Sequence, residues 1–339
     1  MQGSGKKQHK ILSRRSIFPI VILLVLWMIY MQDTNQWGLF QDNWFMSVTM
    51  IFGSFIAGAS SEGGGAIAFP VMTLLYDIMP HTARNFSLAI QSVGMTAAAL
   101  IILRNKFPVE YKYLIPASIG GGIGIIFGTF YVVPYVPATF SKMLFVTFWL
   151  SFGVILFYIN VIFKRKVFDR MPDLSRIELL FLLIVGFSGG TLSSILGSGL
   201  DIFSFAYITI RYHLSEKVAT PTSVVVMAIN SLIGFCLHYF IIQDFATEEF
   251  NYWLVSIPVV LIGAPMGAYY INQQTRDFVS WFLYIIIITQ FIGALLIIRP
   301  EGMLLLFTIL VFVFGLLFFY GFTKISLLTN KSDRSVEEV

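Results

Sequence analysis

Charged residues are scarce in this sequence of 339 residues. They make up 12% of the chain, whereas hydrophobic residues make up 57% and the mean hydropathy is +0.81. Soluble domains carry about 25% charged residues, so a chain with so little charge cannot hide its apolar surface inside one water-soluble core. The composition therefore predicts a polytopic membrane protein.

Residues for redox, metal and nucleophilic chemistry are scarce as well. Cys236 is the only cysteine, which excludes an internal disulfide and a clustered-cysteine metal site. The four histidines form no metal motif: His9, His81, His213 and His238. Cys236 and His238 lie two positions apart and do not face each other on a helix. We therefore expect no enzyme and no cofactor, and a net charge of +4 offers no nucleic-acid surface.

Long apolar runs, in contrast, are abundant, and four of them form two unusual pairs. The pairs are 44–59 with 63–79 and 177–196 with 199–212, and glycine and serine join their members. A membrane-spanning helix needs about 20 residues, so each pair contains a short member. Irregular backbone survives at membrane depth only where protein or a cavity surrounds it. The pattern predicts half-membrane hairpins or paired broken helices.

The basic residues indicate the orientation of the chain. With a cytoplasmic N-terminus, 19 of the 22 basic residues lie in the segments assigned to the inside: 1–16, 104–112, 164–176, 211–217, 272–278 and 323–339. The segments 32–43 and 243–250 contain acids and no lysine or arginine, as external loops do. We expect a multi-pass protein of the cell membrane, surrounded by the lipid bilayer, with both termini cytoplasmic.

The two halves of the chain share one order of features. Gly53–Leu100 and Gly186–Tyr239 each contain a glycine-rich break, an apolar half-helix, a polar turn and a further helix, at an offset of about 133 to 136 residues. The first unit begins outside and the second inside, which predicts inverted repeats. Inverted repeats with matching broken segments are typical of alternating-access transporters.

The expected fold is an all-α membrane protein of two inverted-topology repeats, whose glycine-broken or re-entrant helices meet near the midplane. Residues 1–43 form an N-terminal segment, the first helix and an outer loop. Residues 44–163 form the first repeat, 164–176 a cytoplasmic linker and 177–298 the second repeat. Residues 299–339 form the last helix and a cytoplasmic tail.

The sequence resembles a known family at these breaks. The residues are Gly58, the run Gly63–Pro70, Ala83 and Ser87, with their counterparts in the second half. Together they resemble the TauE/SafE sulfite exporters, or TSUP transporters, over residues 44–298. The resemblance implies secondary transport of small sulfur-containing anions such as sulfite or organosulfonates, commonly outward. Glu62 stands where the family usually has an apolar residue.

The glycine-rich breaks predict an anion site. Glycines leave backbone N–H groups uncovered, and a helix N-terminus attracts an anion without arginine. Two such breaks from opposite sides would hold a sulfonate or sulfite between them. The candidate substrate-binding residues are Ser61, Gly63, Gly64, Gly65, Ser87, Gln91, Gly197, Ser198, Gly199, Thr222, Ser223 and Asn230.

Glu62 and Asp201 are the acids expected deepest in the membrane. Ionisable residues there are costly and therefore suggest function. Either acid could bind a coupling H⁺ or Na⁺, or it could cap a helix N-terminus; both interpretations remain open, as do the exact substrate and homo-oligomerisation. The rival functions are an anion channel and a carrier of another small organic anion.

Overall fold

The computed structural model of this chain describes residues 14–337, and the basic residues among positions 1–13 that enter the orientation argument lie outside them. The described part is helical, with one isolated β-bridge. Its helices are α1 Arg14–Asp33, α2 Leu39–Ala59, α3 Gly64–Pro70, α4 Pro80–Arg104, α5 Tyr111–Tyr131, α6 Ala138–Phe157, α7 Arg176–Leu196, α8 Leu200–Arg211, α9 Glu216–Cys236, α10 Thr247–Gln273, α11 Arg276–Ile298 and α12 Gly302–Glu337. Wider π turns extend α3, α6 and α9 to Leu75, Ile162 and Ile242.

Nine helices of this described region are long and apolar enough to cross a membrane. They are α1, α4, α5, α6, α7, α9, α10, α11 and α12. Helix α2 has 21 residues but carries Asp42 and Asn43 near its start, while α3 and α8 are too short to span. The chain is a multi-pass, all-α membrane protein, as the composition predicts.

The two short helices follow the two glycine-rich breaks. Helix α2 ends at Ala59 before α3, and α7 ends at Leu196 before α8. Gly197 takes a left-handed conformation, with φ of 75°, and its N–H donates to Ser193 O at 2.8 Å. This is a common way to end a helix, because glycine adopts a positive φ without steric cost. The predicted pairs of one longer and one short helix are present.

Helix order and packing are compatible with two repeats. Helices α3, α4 and α5 each begin 136 residues before α8, α9 and α10. Helix α2 packs against α10, and its counterpart α7 packs against α5, so the first helix of each unit pairs with the fourth helix of the other. Helices α4 and α9 pack together between them. The opposite orientation of the units in a membrane stays a prediction.

Glycines inside the long helices serve close packing rather than chain breaks. A Cβ on Gly124 of α5 would overlap the Phe187 carbonyl of α7, and one on Gly58 of α2 would overlap the Ala264 carbonyl of α10. Small residues let helix backbones approach closely in membrane proteins. The α2–α10 and α5–α7 pairs therefore form tightly packed walls on either side of the two breaks.

Candidate functional site

The two glycine-rich breaks touch each other inside the protein. We name Ser60–Gly63 the first tip and Gly197–Gly199 the second tip. A Cβ on Gly63 would overlap the Ser198 hydroxyl and the Asp201 carboxylate, and the Gly63 N–H donates to that carboxylate. The side chains of Ser61 and Ser198 are buried there. The expected meeting of the two breaks is therefore present.

Gln91 of α4 lies between the two tips. Its Nε2 donates to the carbonyl of Gly197 in the second tip at 2.6 Å and to the Ser87 carbonyl at 2.9 Å. A Cβ on Gly63 or Gly65 would overlap the Gln91 amide, and one on Gly65 or Gly197 would overlap Ser87. Gln91 Oε1 is buried and has no hydrogen-bond partner among the described residues. Ser87 and Gln91, two of the predicted residues, therefore lie beside both tips, and their role in substrate binding stays a prediction.

Asp201 caps the helix that follows the second tip. Its Oδ1 accepts from the N–H groups of Gly199 at 3.1 Å and Ile202 at 3.0 Å. The N–H of Leu200 donates instead to the hydroxyl of Ser193 at 2.9 Å. The sequence predicts that N–H groups at the start of α8 bind an anion. In the structure, the N–H groups of Gly199, Leu200 and Ile202 are already bound to side-chain oxygens.

Glu62 behaves differently from Asp201. Gly63 precedes α3 with no side chain capping the helix, because Glu62 turns away from it. Glu62 Oε1 accepts from the indole N–H of Trp149 on α6, and Glu62 Oε2 accepts from Gln290 Nε2 on α11 at 2.5 Å. The capping interpretation thus fits Asp201 and does not fit Glu62.

Two further predicted residues carry buried polar atoms that lack hydrogen-bond partners within the described region. These atoms are the hydroxyl oxygen of Ser61 and both the nitrogen and the oxygen of the Asn230 side-chain amide. Asn230 is fully buried on α9 beside Gly121 of α5. Buried polar groups almost always find a partner, so these positions are suited to meeting a ligand or water.

Thr222 and Ser223 use their hydroxyls elsewhere. The Thr222 hydroxyl donates to the Val218 carbonyl at 2.7 Å and accepts from the Glu110 N–H at 2.9 Å, which fastens the α4–α5 loop to α9. The Ser223 hydroxyl donates to the Thr220 carbonyl at 2.9 Å. Their hydroxyls thus take part in local hydrogen bonds of α9 and in the bond to the Glu110 N–H.

A buried ion network at the start of α9 escaped the sequence reasoning. The carboxylate of Glu216 accepts from Arg165 at 2.8 Å, from Arg276 at 2.6 Å and from Asn160 at 2.7 Å. Glu216 is fully buried. We call these four residues the α9-start network; it joins α9 to α11 and to the end of α6. The only sequence signal was the positive charge of the loops, which indicates orientation alone.

A second network lies at the start of α4. Arg84 Nη2 lies 3.5 Å from Asp244, His238 Nδ1 lies 2.8 Å from the same carboxylate, and Asn85 Nδ2 donates to the Asp244 carbonyl at 3.1 Å. We call these four residues the α4-start network. Partial burial opposes ionisation, but the hydrogen bond from His238 and the charge of Arg84 hold the pKa of Asp244 below its usual range. The backbone of Arg84 also contacts Gly197, so the network adjoins the second tip.

Comparison with models of known protein families identifies the family of this chain. Residues 45–289 match the model of the sulfite exporter TauE/SafE family, which is most of the chain. The protein belongs to the TauE/SafE sulfite exporter family. Comparison with curated proteins and with solved structures gave no match.

The TauE/SafE match runs from α2 into α11. It therefore contains both tips, both acids and both ion networks, while α1 and α12 lie outside it. TauE/SafE proteins are transporters, so this chain is a membrane transporter and not an enzyme. The described residues also contain no group of three or more histidine, cysteine, aspartate or glutamate side chains placed to hold a metal ion.

Proposed function

We propose that this protein is a secondary transporter of a small sulfur-containing oxyanion, sulfite or an organosulfonate, that moves it outward from the cytoplasm. Family membership supports the substrate class. The observation that carries the proposal is the direct contact of the two tips around Gln91. Broken helices that meet between two repeats are where transporters of this architecture bind substrate.

The proposed anion site lies between the tips. Gly63, Gly65 and Gly197 have no side chains, and the space beside them is filled by Gln91, Ser87, Ser198 and Asp201. A ligand reaches the backbone N–H groups when these side chains move aside. The polar groups of Ser61, Gln91 and Asn230, together with Ser198, supply neutral contacts. Such a site holds an anion through N–H groups and helix dipoles, without a fixed cation.

Asp201 supports the choice of an oxyanion. Its Oδ1 accepts hydrogen bonds from N–H groups at the start of α8, and a sulfonate or sulfite oxygen accepts hydrogen bonds of the same kind. The substrate would take the place of this carboxylate, so binding requires Asp201 to turn away or to lose its charge. Anion binding is thereby linked to the charge state of the tips.

The two ion networks suggest how access alternates. The α9-start network and the α4-start network lie at opposite ends of α9, since Glu216 begins that helix and His238 is in its final turns. Both are formed in this structure. In the orientation with both termini cytoplasmic, the first closes the inside and the second the outside. Transport would open one network at a time.

The test uses purified protein in liposomes of cell-membrane lipids. Export by a carrier predicts saturable sulfite flux and accelerated exchange when sulfite is present on both sides. Flux that rises linearly with sulfite and shows no exchange would identify an anion channel instead. Saturable flux and exchange of another organic anion, with none for sulfite or sulfonates, would overturn the proposed substrate class.

A further inference from the structure

The two oxygens of Glu62 have partners of different chemical capacity. Trp149 holds Oε1 with an indole N–H, which can only donate. Gln290 holds Oε2 with an amide, which contains a donor and an acceptor. The Gln290 acceptor, Oε1, is buried and has no hydrogen-bond partner among the residues described. Glu62 Oε2 therefore faces an amide that can either donate or accept a hydrogen bond.

This asymmetry suits a carboxyl group that gains and loses a proton. An ionised Glu62 needs two donors, and Trp149 and Gln290 supply them. A protonated Glu62 has one O–H that needs an acceptor. A half-turn of the Gln290 amide brings its Oε1 to that position, because amide nitrogen and oxygen have nearly the same shape. Both forms of Glu62 are thus hydrogen-bonded without any movement of helices.

The same surroundings are unsuited to sodium. Transporter sodium sites collect oxygen ligands such as backbone carbonyls and helix C-terminal ends. At Glu62, both carboxylate oxygens instead face N–H groups, whose positive ends repel a cation. Of the two partners of Glu62, only Gln290 has an unbonded oxygen, Oε1, and one such acceptor is too few for a cation cage.

The ionisable neighbour of Glu62 lies in the first turn of α8, directly after the second tip. Asp201 interacts with it electrostatically, whereas α6 presents Trp149, α11 presents Gln290 and α4 presents Gln91, all neutral. When both acids are ionised, the two tips carry like charges in a buried site, and a substrate anion would add a third. A proton on Glu62 removes one of these charges and favours closure of the tips on the substrate.

We propose that Glu62 is a proton-binding site, that its proton lies on the oxygen facing Gln290, and that Trp149 and Gln290 are its positioning residues. This deepens the proposed function by making the coupling ion a proton, and its role in transport rests on that function. The site itself can be tested without transport.

The test is infrared difference spectroscopy of the purified protein between acidic and alkaline pH. A protonated Glu62 gives a carboxylic-acid carbonyl band that disappears at alkaline pH, and we expect Glu62→Gln to remove it. Asp201→Asn is the matched control: it should retain the Glu62 band and lose only the contribution of Asp201 itself. Gln290→Leu should retain the band at higher frequency, because the acid loses its hydrogen-bond acceptor. Gel filtration confirms that each variant is folded.

Three results would overturn the proposal. The first is a Glu62→Gln spectrum identical to that of the wild type. The second is a Gln290→Leu band at the wild-type frequency. The third is loss of the wild-type band when sodium replaces choline at constant pH, because sodium would then displace the proton. A confirmed band in a protein that transports no sulfur anion would refute the proposed function and leave the proton site standing.

Discussion

The indole N–H of Trp149, on α6, donates to the Glu62 carboxylate of the first tip, 87 residues away in sequence. Trp149 is buried and stacks on Phe152 with ring centroids 4.6 Å apart. The bond therefore ties the first tip to a rigid aromatic layer. Any movement of the tip must break it or carry α6 along.

Trp149→Phe is expected to weaken this connection while keeping an aromatic ring. A hydrogen bond to a charged group contributes about 1.5–3 kcal/mol, so the variant should unfold more readily. Trp281→Phe is the matched control, because Trp281 is exposed on α11. The measurement is chemical unfolding in detergent. Equal unfolding free energies for the two variants would show that the Trp149 bond adds nothing.

Neighbouring glycines of the first break should respond differently to alanine. A Cβ on Gly65 would overlap Gln91 and Ser87, whereas one on Gly64 would lie 3.3 Å from Met50 Cε and 3.6 Å from Ala57 Cβ. We expect Gly65→Ala to abolish sulfite uptake into proteoliposomes and Gly64→Ala to retain most of it. If both variants transport equally, the close packing of Gly65 against Gln91 and Ser87 is not needed for transport.

The α9-start network should be sensitive to loss of its carboxylate. Glu216→Ala leaves Arg165 buried without its partner, and breaking a buried pair costs about 3–5 kcal/mol. Asp173→Ala is the control, since it removes the exposed Lys112–Asp173 pair, which is worth about 0–1 kcal/mol. Unfolding should separate the two variants clearly. A Glu216→Ala protein as stable as Asp173→Ala would contradict a structural role for the network.

Orientation can be tested with single cysteines in a Cys236→Ser background. Arg170 and Thr247 are both exposed, and the basic-residue distribution puts position 170 inside and position 247 outside. A membrane-impermeant thiol reagent applied to intact cells should label Thr247→Cys, and should label Arg170→Cys only after permeabilisation. The reverse pattern would invert the topology and exchange the inner and outer networks.

The sequence predicted the features that depend on local pattern. The short helices at the two breaks follow from run length, whereas Gln91 meets the tips through the packing of α4 against α3 and against the second tip. Glycine identity did not predict which neighbour each glycine faces, so Gly64 and Gly65 looked equivalent. Their difference depends on which side of α3 packs against α2 and which against α4.

The partners of the buried acids could not be predicted from the sequence. Glu62 lies in the first glycine-rich break and Asp201 directly after the second, so one capping hypothesis covered them equally. Asp201 finds two of its N–H donors within two residues, but the donors to Glu62 lie 87 and 228 residues away. Likewise, Glu216 meets arginines 51 and 60 residues away. Such contacts depend on tertiary packing that a single sequence does not reveal.

The most direct test of the account is sulfite accumulation driven by a proton gradient in proteoliposomes, for wild type, Glu62→Gln and Asp201→Asn. We predict that wild type accumulates sulfite against its gradient when a pH gradient is imposed without sodium. Glu62→Gln should still equilibrate sulfite but lose the pH-driven accumulation. Asp201→Asn should still depend on the pH gradient for accumulation. Its sulfite affinity should change, because the substrate no longer displaces a charged carboxylate, and its stability should fall by about 1 kcal/mol from the weakened cap. Accumulation that requires sodium, or that persists unchanged in Glu62→Gln, would contradict the account.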